Sequence, residues 1–204
     1  MKRVSIVFIV LMALFCIRVQ AQNLRTMFIE MPDTLLPLLT TNDRMDMIDF
    51  WDARMTTPVT NRLDGNSRIA SLTDNFLSLE LTRSSSMQIK MLNGEGNDTL
   101  LCVVNTVAAE ACDSRIHFYN SRWERVDGSM FARPSIADFF ILSDSVDKAL
   151  EACDIYLVKL SLSAESDSLK AEYTMPQYMS PGDSARVASQ LRPLRYHWTG
   201  KRFE

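Results

Sequence analysis

The strings Ile116-His117-Phe118-Tyr119-Asn120-Ser121-Arg122-Trp123-Glu124 and Tyr196-His197-Trp198-Thr199-Gly200-Lys201-Arg202-Phe203-Glu204 carry one chemical pattern twice, with Glu204 standing 80 positions after Glu124. Each runs apolar or aromatic, His, aromatic, a small turn, a basic residue, aromatic, Glu. Alternation about a turn predicts two strands closing a tight hairpin. Its recurrence predicts a chain of two related halves, each ending in an aromatic hairpin. The pattern constrains architecture and says little about chemistry.

Periodicity fills in the halves. Asn42 is expected to cap a helix over about residues 43–53, with Met45, Ile48 and Trp51 at helical spacing. The apolar stretch at 34–39 predicts one or two helical turns interrupted at Pro37. Residues 55–66 contain Thr, Pro and Asp-Gly and read as a loop leading to a hairpin. From Ser67 the spacing changes to two. Leu77, Leu79 and Leu81 alternate with polar residues, and so do Met87, Ile89 and Met91. Residues 100–107 are apolar on both faces, as a central strand would be. With 93–98 as a hairpin tip, the first half becomes an antiparallel meander of about five strands.

The second half restarts at Phe131-Ala132-Arg133-Pro134. An apolar stretch follows at 136–142, then a helix after Ser143 with Val146, Leu150 and Cys153 on one face. Strand spacing returns at Val158, Leu160 and Leu162 and again at Leu169, Ala171 and Tyr173, before a short helix over 185–191. The fold class expected is α+β: two divergent repeats of short helices followed by an antiparallel β-meander, packed side by side. The units are residues 22–128 and the shorter 129–204. Meanders of this type can leave one sheet face open, and two such sheets can form a continuous concave surface.

Residues 1–21 read as a signal peptide. Lys2 and Arg3 precede an apolar run over 4–17, and Val19-Gln20-Ala21 supplies the cleavage site. The run is short for a bilayer span, so no transmembrane segment is expected after cleavage. Phe15 sits where lipid attachment at Cys16 would need a small residue. Removing Lys2, Arg3 and Arg18 takes the formal charge from −3 to −6. Without basic clusters, nucleic acid and anionic membrane surfaces are poor partners.

Met31-Pro32-Asp33, Leu35-Leu36-Pro37-Leu38-Leu39 and Arg44-Met45-Asp46-Met47-Ile48-Asp49-Phe50 together resemble a family of exported Bacteroidales proteins that carries only an unknown-function designation. Val59-Thr60-Asn61-Arg62-Leu63, Asp113-Ser114 and Phe118-Tyr119 with Trp123 are similar to later signposts of the same family. The resemblance spans the mature chain. It implies a Gram-negative envelope or the space outside it, and it brings no catalytic residue, cofactor or substrate.

The residues themselves assemble no catalytic signature, and no cofactor or metal is expected. His117 and His197 share one position of the repeated string. They could meet across a pseudo-twofold axis, but a sheet-surface pair beside packed aromatics is the default. Asn93, Glu95, Asn97 and Asp98 offer calcium-type oxygens without a bidentate Glu in register, so the loop reads as a hairpin tip. Neither a Gly-x-Ser-x-Gly elbow nor a thiol-hydrolase arrangement appears. Cys112 and Cys153 share an Ala-Cys-Asp context and form a candidate disulfide. Asp43, Asp46 and Asp49 recur at i, i+3 as an acidic stripe, either a solvated face or a docking surface for a basic partner. The functional expectation is a non-catalytic binding or interaction module of the cell envelope, with a possible protein partner there. The alternatives are a carboxylate-dependent hydrolase of envelope polymers and a structural or assembly subunit.

Overall fold

The alternating run from Ser67 folds into a seven-stranded antiparallel sheet, ordered β1-β2-β3-β4-β5-β6-β7. The computed structural model describes residues 23–126, 129–141 and 155–204. The strands are β1 (Val59–Thr60), β2 (Asn66–Leu72), β3 (Phe76–Thr82), β4 (Ser85–Asn93), β5 (Thr99–Ala108), β6 (Cys112–Asn120) and β7 (Arg125–Val126). The five expected strands are β2 to β6. Two-residue β1 and β7 flank them, too short to leave a periodic signal. A second sheet, ordered β10-β9-β8, is built from β8 (Val158–Leu162), β9 (Ser168–Tyr173) and β10 (Leu194–His197). The class is α+β.

Both faces of the large sheet are covered, so the open face allowed by the sequence does not form. On one face lie α1 (Leu24–Ile29) and α2 (Thr41–Asp52). Leu77, Leu79, Ile89, Leu101 and Val103 point to that side and pack with Leu24, Phe28, Met31, Leu36, Met47 and Ile48. On the other face Phe76, Leu92, Cys102, Val104 and Phe118 pack with Leu160, Leu169, Ala171, Val187 and Phe203. This second cluster draws residues from both sides of the 128/129 boundary. The two expected units therefore share a core, stacked as layers with the large sheet in the middle.

α2 begins two residues before its expected start because Thr40 caps it. The Asp43 N–H donates to Thr40 Oγ1 at 3.2 Å, and the Thr40 N–H donates to Asp43 Oδ2 at 2.7 Å. This reciprocal box satisfies two donors the helix would otherwise leave unpaired. The buried face also differs from expectation. Arg44 points inward and is 1% exposed, while Met45 points outward and is 46% exposed. The cause lies in residues 30–39, which follow α1 and form turns and bends, not the helical turns expected at 34–39. Their carbonyls need donors, and Arg44 supplies them. Its guanidinium donates to the carbonyl oxygens of Ile29, Met31 and Leu39, to Asp33 Oδ1 and to Thr41 Oγ1.

The small sheet is tied to the large one by side chains. The Leu160 N–H donates to Ser114 Oγ at 3.0 Å, and the Leu162 N–H to Gln88 Oε1 at 2.9 Å. Lys90, 1% exposed, reaches from β4 to Asn75 Oδ1 and the Ala164 carbonyl, each at 3.3 Å, with Asp167 at 3.6 Å. α3 (Pro181–Ala188) starts four residues before the expected helix, with Ser180 as cap and Pro181 opening the first turn. The helix expected after Ser143 lies outside the described residues.

The internal duplication is not confirmed. In the first nonapeptide the Asn120 N–H donates to the Glu124 carbonyl, and Trp123 sits in the turn at φ 61°. In the second, His197 and Glu204 exchange both backbone bonds, Thr199 and Arg202 close a two-residue turn, and Phe203 pairs with Trp198. Gly200 at φ 92° permits that tighter closure. The hairpins share chemistry but not register. They do meet: Phe118 stacks on its sequence counterpart Trp198 with centroids 6.1 Å apart, and Phe203 lies 6.3 Å from Phe118.

A candidate binding groove beside an open sheet edge

The groove begins where α2 ends. Ala53 caps the helix, the Arg54 N–H donates to the Trp51 carbonyl at 3.0 Å, and the Met55 N–H donates to the Phe50 carbonyl at 2.8 Å. These two bonds make a Schellman closure, which places Arg54 at the left-handed position that usually holds glycine. Arg54 adopts φ 56° there. For a side chain with a Cβ that conformation costs about 1–2 kcal/mol. Trp51 and Phe50 stay half-buried, and Met55 is 49% exposed.

Next, residues 55–58 run beside β2 without joining it. β1 pairs with β2 only at Asn66 and Ser67. Pro58 precedes Val59, and a proline has no N–H with which to continue a ladder. No backbone hydrogen bond joins 55–58 to 68–72 among the described residues. A cleft of about 290 Å³ separates the two segments, lined by Met47, Phe50, Trp51, Thr57, Ile69 and Ala70 among others. A hollow of about 450 Å³ adjoins it, sharing Trp51, Met55 and Thr56 and adding Asp52 and Arg54.

The charges of the groove are unevenly partnered. The Arg68 Nε–H donates to Glu80 Oε2 at 2.7 Å across β2 and β3, and Glu80 in turn raises the already high pKa of Arg68. Asp52 pairs with Arg25. Arg54 makes no ion pair or side-chain hydrogen bond among the described residues.

The residues singled out from sequence fall elsewhere. Asp43 is half-buried and occupied in the cap of α2. Asp46 and Asp49 are exposed on the outer face of the same helix, turned away from the groove. Cys112 is half-buried at the start of β6, where the Thr174 hydroxyl bonds its backbone; Cys153 lies outside the described residues. His117 approaches the Arg125 guanidinium at 3.1 Å, and its pKa is lowered by burial first, then by Arg125 and Arg115. His197 is exposed on the other hairpin. Trp123 is buried and donates to the Met27 carbonyl at 3.0 Å, while Trp198 donates to the Asn93 carbonyl at 2.8 Å. The 93–98 tip closes through the Gly94 N–H to the Asp98 carbonyl, and Glu95 pairs with Lys201. No group of three or more metal-ligating side chains occurs among the described residues. In three clefts formed by described residues, the lining holds a single carboxylate: Glu80, Asp52 and Glu172 respectively.

Sequence reading missed Arg54, Met55 and the β2 edge. Two signals were present. Phe50 and Met55, five apart across the predicted helix end, have the spacing of a Schellman contact. Pro58, just before β1, marks where edge pairing must stop.

These features define a class: an α+β protein whose large antiparallel sheet is covered on both faces and, among the described residues, keeps one edge open beside a groove of mixed apolar and polar lining. The chain belongs to the family described as "Protein of unknown function (DUF3256)", whose model matches residues 16–203. Among solved structures it is similar to a domain of an uncharacterized protein from Porphyromonas gingivalis W83, at 25% identity and a TM-score of 0.75. That match covers 90% of this chain and 99% of the other. A search of curated proteins finds no match. Among the described residues no helix is long and apolar enough to cross a membrane.

Proposed function

We propose that the protein is a non-catalytic binding module of the bacterial cell envelope that takes its partner in the groove between α2 and β2. The observation that carries this reading is Arg54, held in a left-handed conformation at the mouth of a groove that pairs apolar with polar lining, where glycine would serve the backbone better. Strain of this kind concentrates at sites that use it. Trp51, Phe50, Met55 and Ile69 supply half-exposed apolar surface, and the Arg68–Glu80 pair supplies a polar rim. In this reading the 22–128 unit carries the groove and the 129–204 unit braces the sheet from behind. Export rests on the signal-like residues 1–21.

The test is quantitative capture from a native envelope fraction with three forms of the protein. One is unaltered, one carries Arg54→Gly with Met55→Ser, and one carries Asp46→Asn with Asp49→Asn. Asp43 is left intact because it caps α2. A stoichiometric partner lost with the groove variant and kept by the stripe variant supports the reading. Loss with the stripe variant alone moves the surface to the outer face of α2. Equal capture by all three forms, or none by any, ends the reading.

A further inference from the structure

We infer that the groove binds an extended peptide as an added strand, hydrogen-bonded along the open edge of β2 and carrying an acidic group to Arg54. This inference rests on the groove being the binding surface and names its ligand class.

The described residues present four sheet edges, and the other three are blunted in part by side chains or by returning chain. On β6 the Thr174 hydroxyl bonds both the N–H and the carbonyl of Cys112, and Arg133 donates to the Ser114 carbonyl at 2.7 Å. On β8 the N–H groups of Leu160 and Leu162 are taken by Ser114 and Gln88. Beside β10, Glu204 returns to exchange two backbone bonds with His197. Unpaired edges invite foreign strands, and proteins blunt them by such devices. Over residues 68–72 of β2 no such device occurs among the described residues. There the cleft occupies the place a neighbouring strand would fill.

A row of backbone donors and acceptors at strand spacing is complementary to another extended backbone. Two features select a free peptide over a second copy of this chain. The cleft is walled on its far side by Thr56 and Thr57, so one edge lies behind its own wall and two such edges cannot meet. In addition, the pairing of β2 with β3 shifts register between Ile69 and Ser71, and such a bulge twists an edge away from long flat pairing. Charge completes the description. Arg68 and Asp52 are already ion-paired, whereas Arg54 is not among the described residues. A carboxylate, from an Asp or Glu side chain or a chain terminus, is its complement, and the apolar side chains of the peptide would rest on Trp51 and Met55.

The probe is a pool of random-sequence peptides displayed on phage and panned against the full protein. Recovered sequences are resynthesised in two forms, each with a different alternate set of backbone amides N-methylated. One set should abolish binding, with about a tenfold loss for each hydrogen bond removed, while the other set leaves affinity unchanged. Amides within residues 68–72 should exchange more slowly with the peptide bound. Arg54→Gly should weaken acid-bearing peptides several-fold and leave peptides with the acid changed to its amide unaffected. Binding indifferent to both N-methylated sets, or protection outside β2, overturns strand addition while leaving the groove reading intact. So does failure to recover any peptide if the envelope partner still depends on the groove. Failure of both experiments removes the groove reading as well. A concentration-dependent dimer that slows exchange at 68–72 also overturns the proposal, by making a second copy the occupant.

Discussion

Among the described residues the two faces of the large sheet each bury one cation, and they use it differently. On the N-terminal face Arg44 is the hub of a local structure, since it gathers three backbone carbonyls, a carboxylate and a hydroxyl from the chain between Ile29 and Thr41. On the opposite face Lys90 sits among aromatics and aliphatics, and its ammonium reaches the rim at 3.3–3.6 Å from its acceptors. That face is held instead by ring packing and by side chains capping β8. A planar, five-donor guanidinium can organise irregular chain; a single ammonium on a flexible stem bridges layers without shaping them.

The largest expected effect comes from removing the hub. Arg44→Met keeps volume but leaves the carbonyls of Ile29, Met31 and Leu39 without their donor. A loss of about 3–5 kcal/mol in urea unfolding is expected, since breaking a buried ionic network has that range. Second is Ser114→Ala, which removes the acceptor of the Leu160 N–H and should cost about 1–3 kcal/mol. Its effect should appear as faster amide exchange in β8 and β9, with α1 and α2 unchanged. Arg54→Gly runs the other way. Relief of the left-handed strain should raise stability by about 1 kcal/mol while weakening partner binding, so melting and binding are measured together. Lys90→Met should lie within about 1 kcal/mol of the parent, because its ionic partner Asp167 is exposed and water can take over its solvation. A loss as large as that of Arg44→Met would erase the contrast between the faces.

The smallest expected effect is on pH dependence. Asp33 has its pKa lowered, first by the Arg44 hydrogen bond; burial opposes this, and the Arg62 hydrogen bond and the charges of both arginines lower it further. A lowered carboxylate stabilises the fold above its unfolded pKa, and that stability is lost as pH falls through its folded value. Acid should therefore loosen the α1–α2 face before the β8–β9 face, as read by site-resolved exchange. The difference should shrink in Arg44→Met.

The legible parts of this molecule were those fixed by neighbours in the chain. Leu77, Leu79 and Leu81, or Val158, Leu160 and Leu162, alternate because each strand has an inside and an outside, and no distant contact is needed to see it. The apolar run at 100–107 announced a strand covered on both faces, and β5 is that strand. What failed to show was set by distance. Arg44 reads as a solvated charge until the unpaired carbonyls of 29–39 are placed beside it. The groove needs Pro58, Met55 and Ile69 to be adjacent, and β1 exists only because Val59 and Thr60 find β2.

The sequence by itself determined the α+β class, the main strands, a helix near 43–53 and the aromatic character of two closing hairpins, because period and capping are local properties. Tertiary structure alone decided what covers each face of the large sheet, that Arg44 turns inward while Met45 turns out, and that residues 68–72 of β2 find no partner strand among the described residues. It also decided that two like nonapeptides close differently. Gly200 accepts a positive φ without strain and allows a two-residue turn, whereas Trp123 takes its positive φ where burial and the Met27 carbonyl hold it. Such choices follow from which distant group is available to satisfy a backbone or a ring, and one-dimensional spacing carries no record of that.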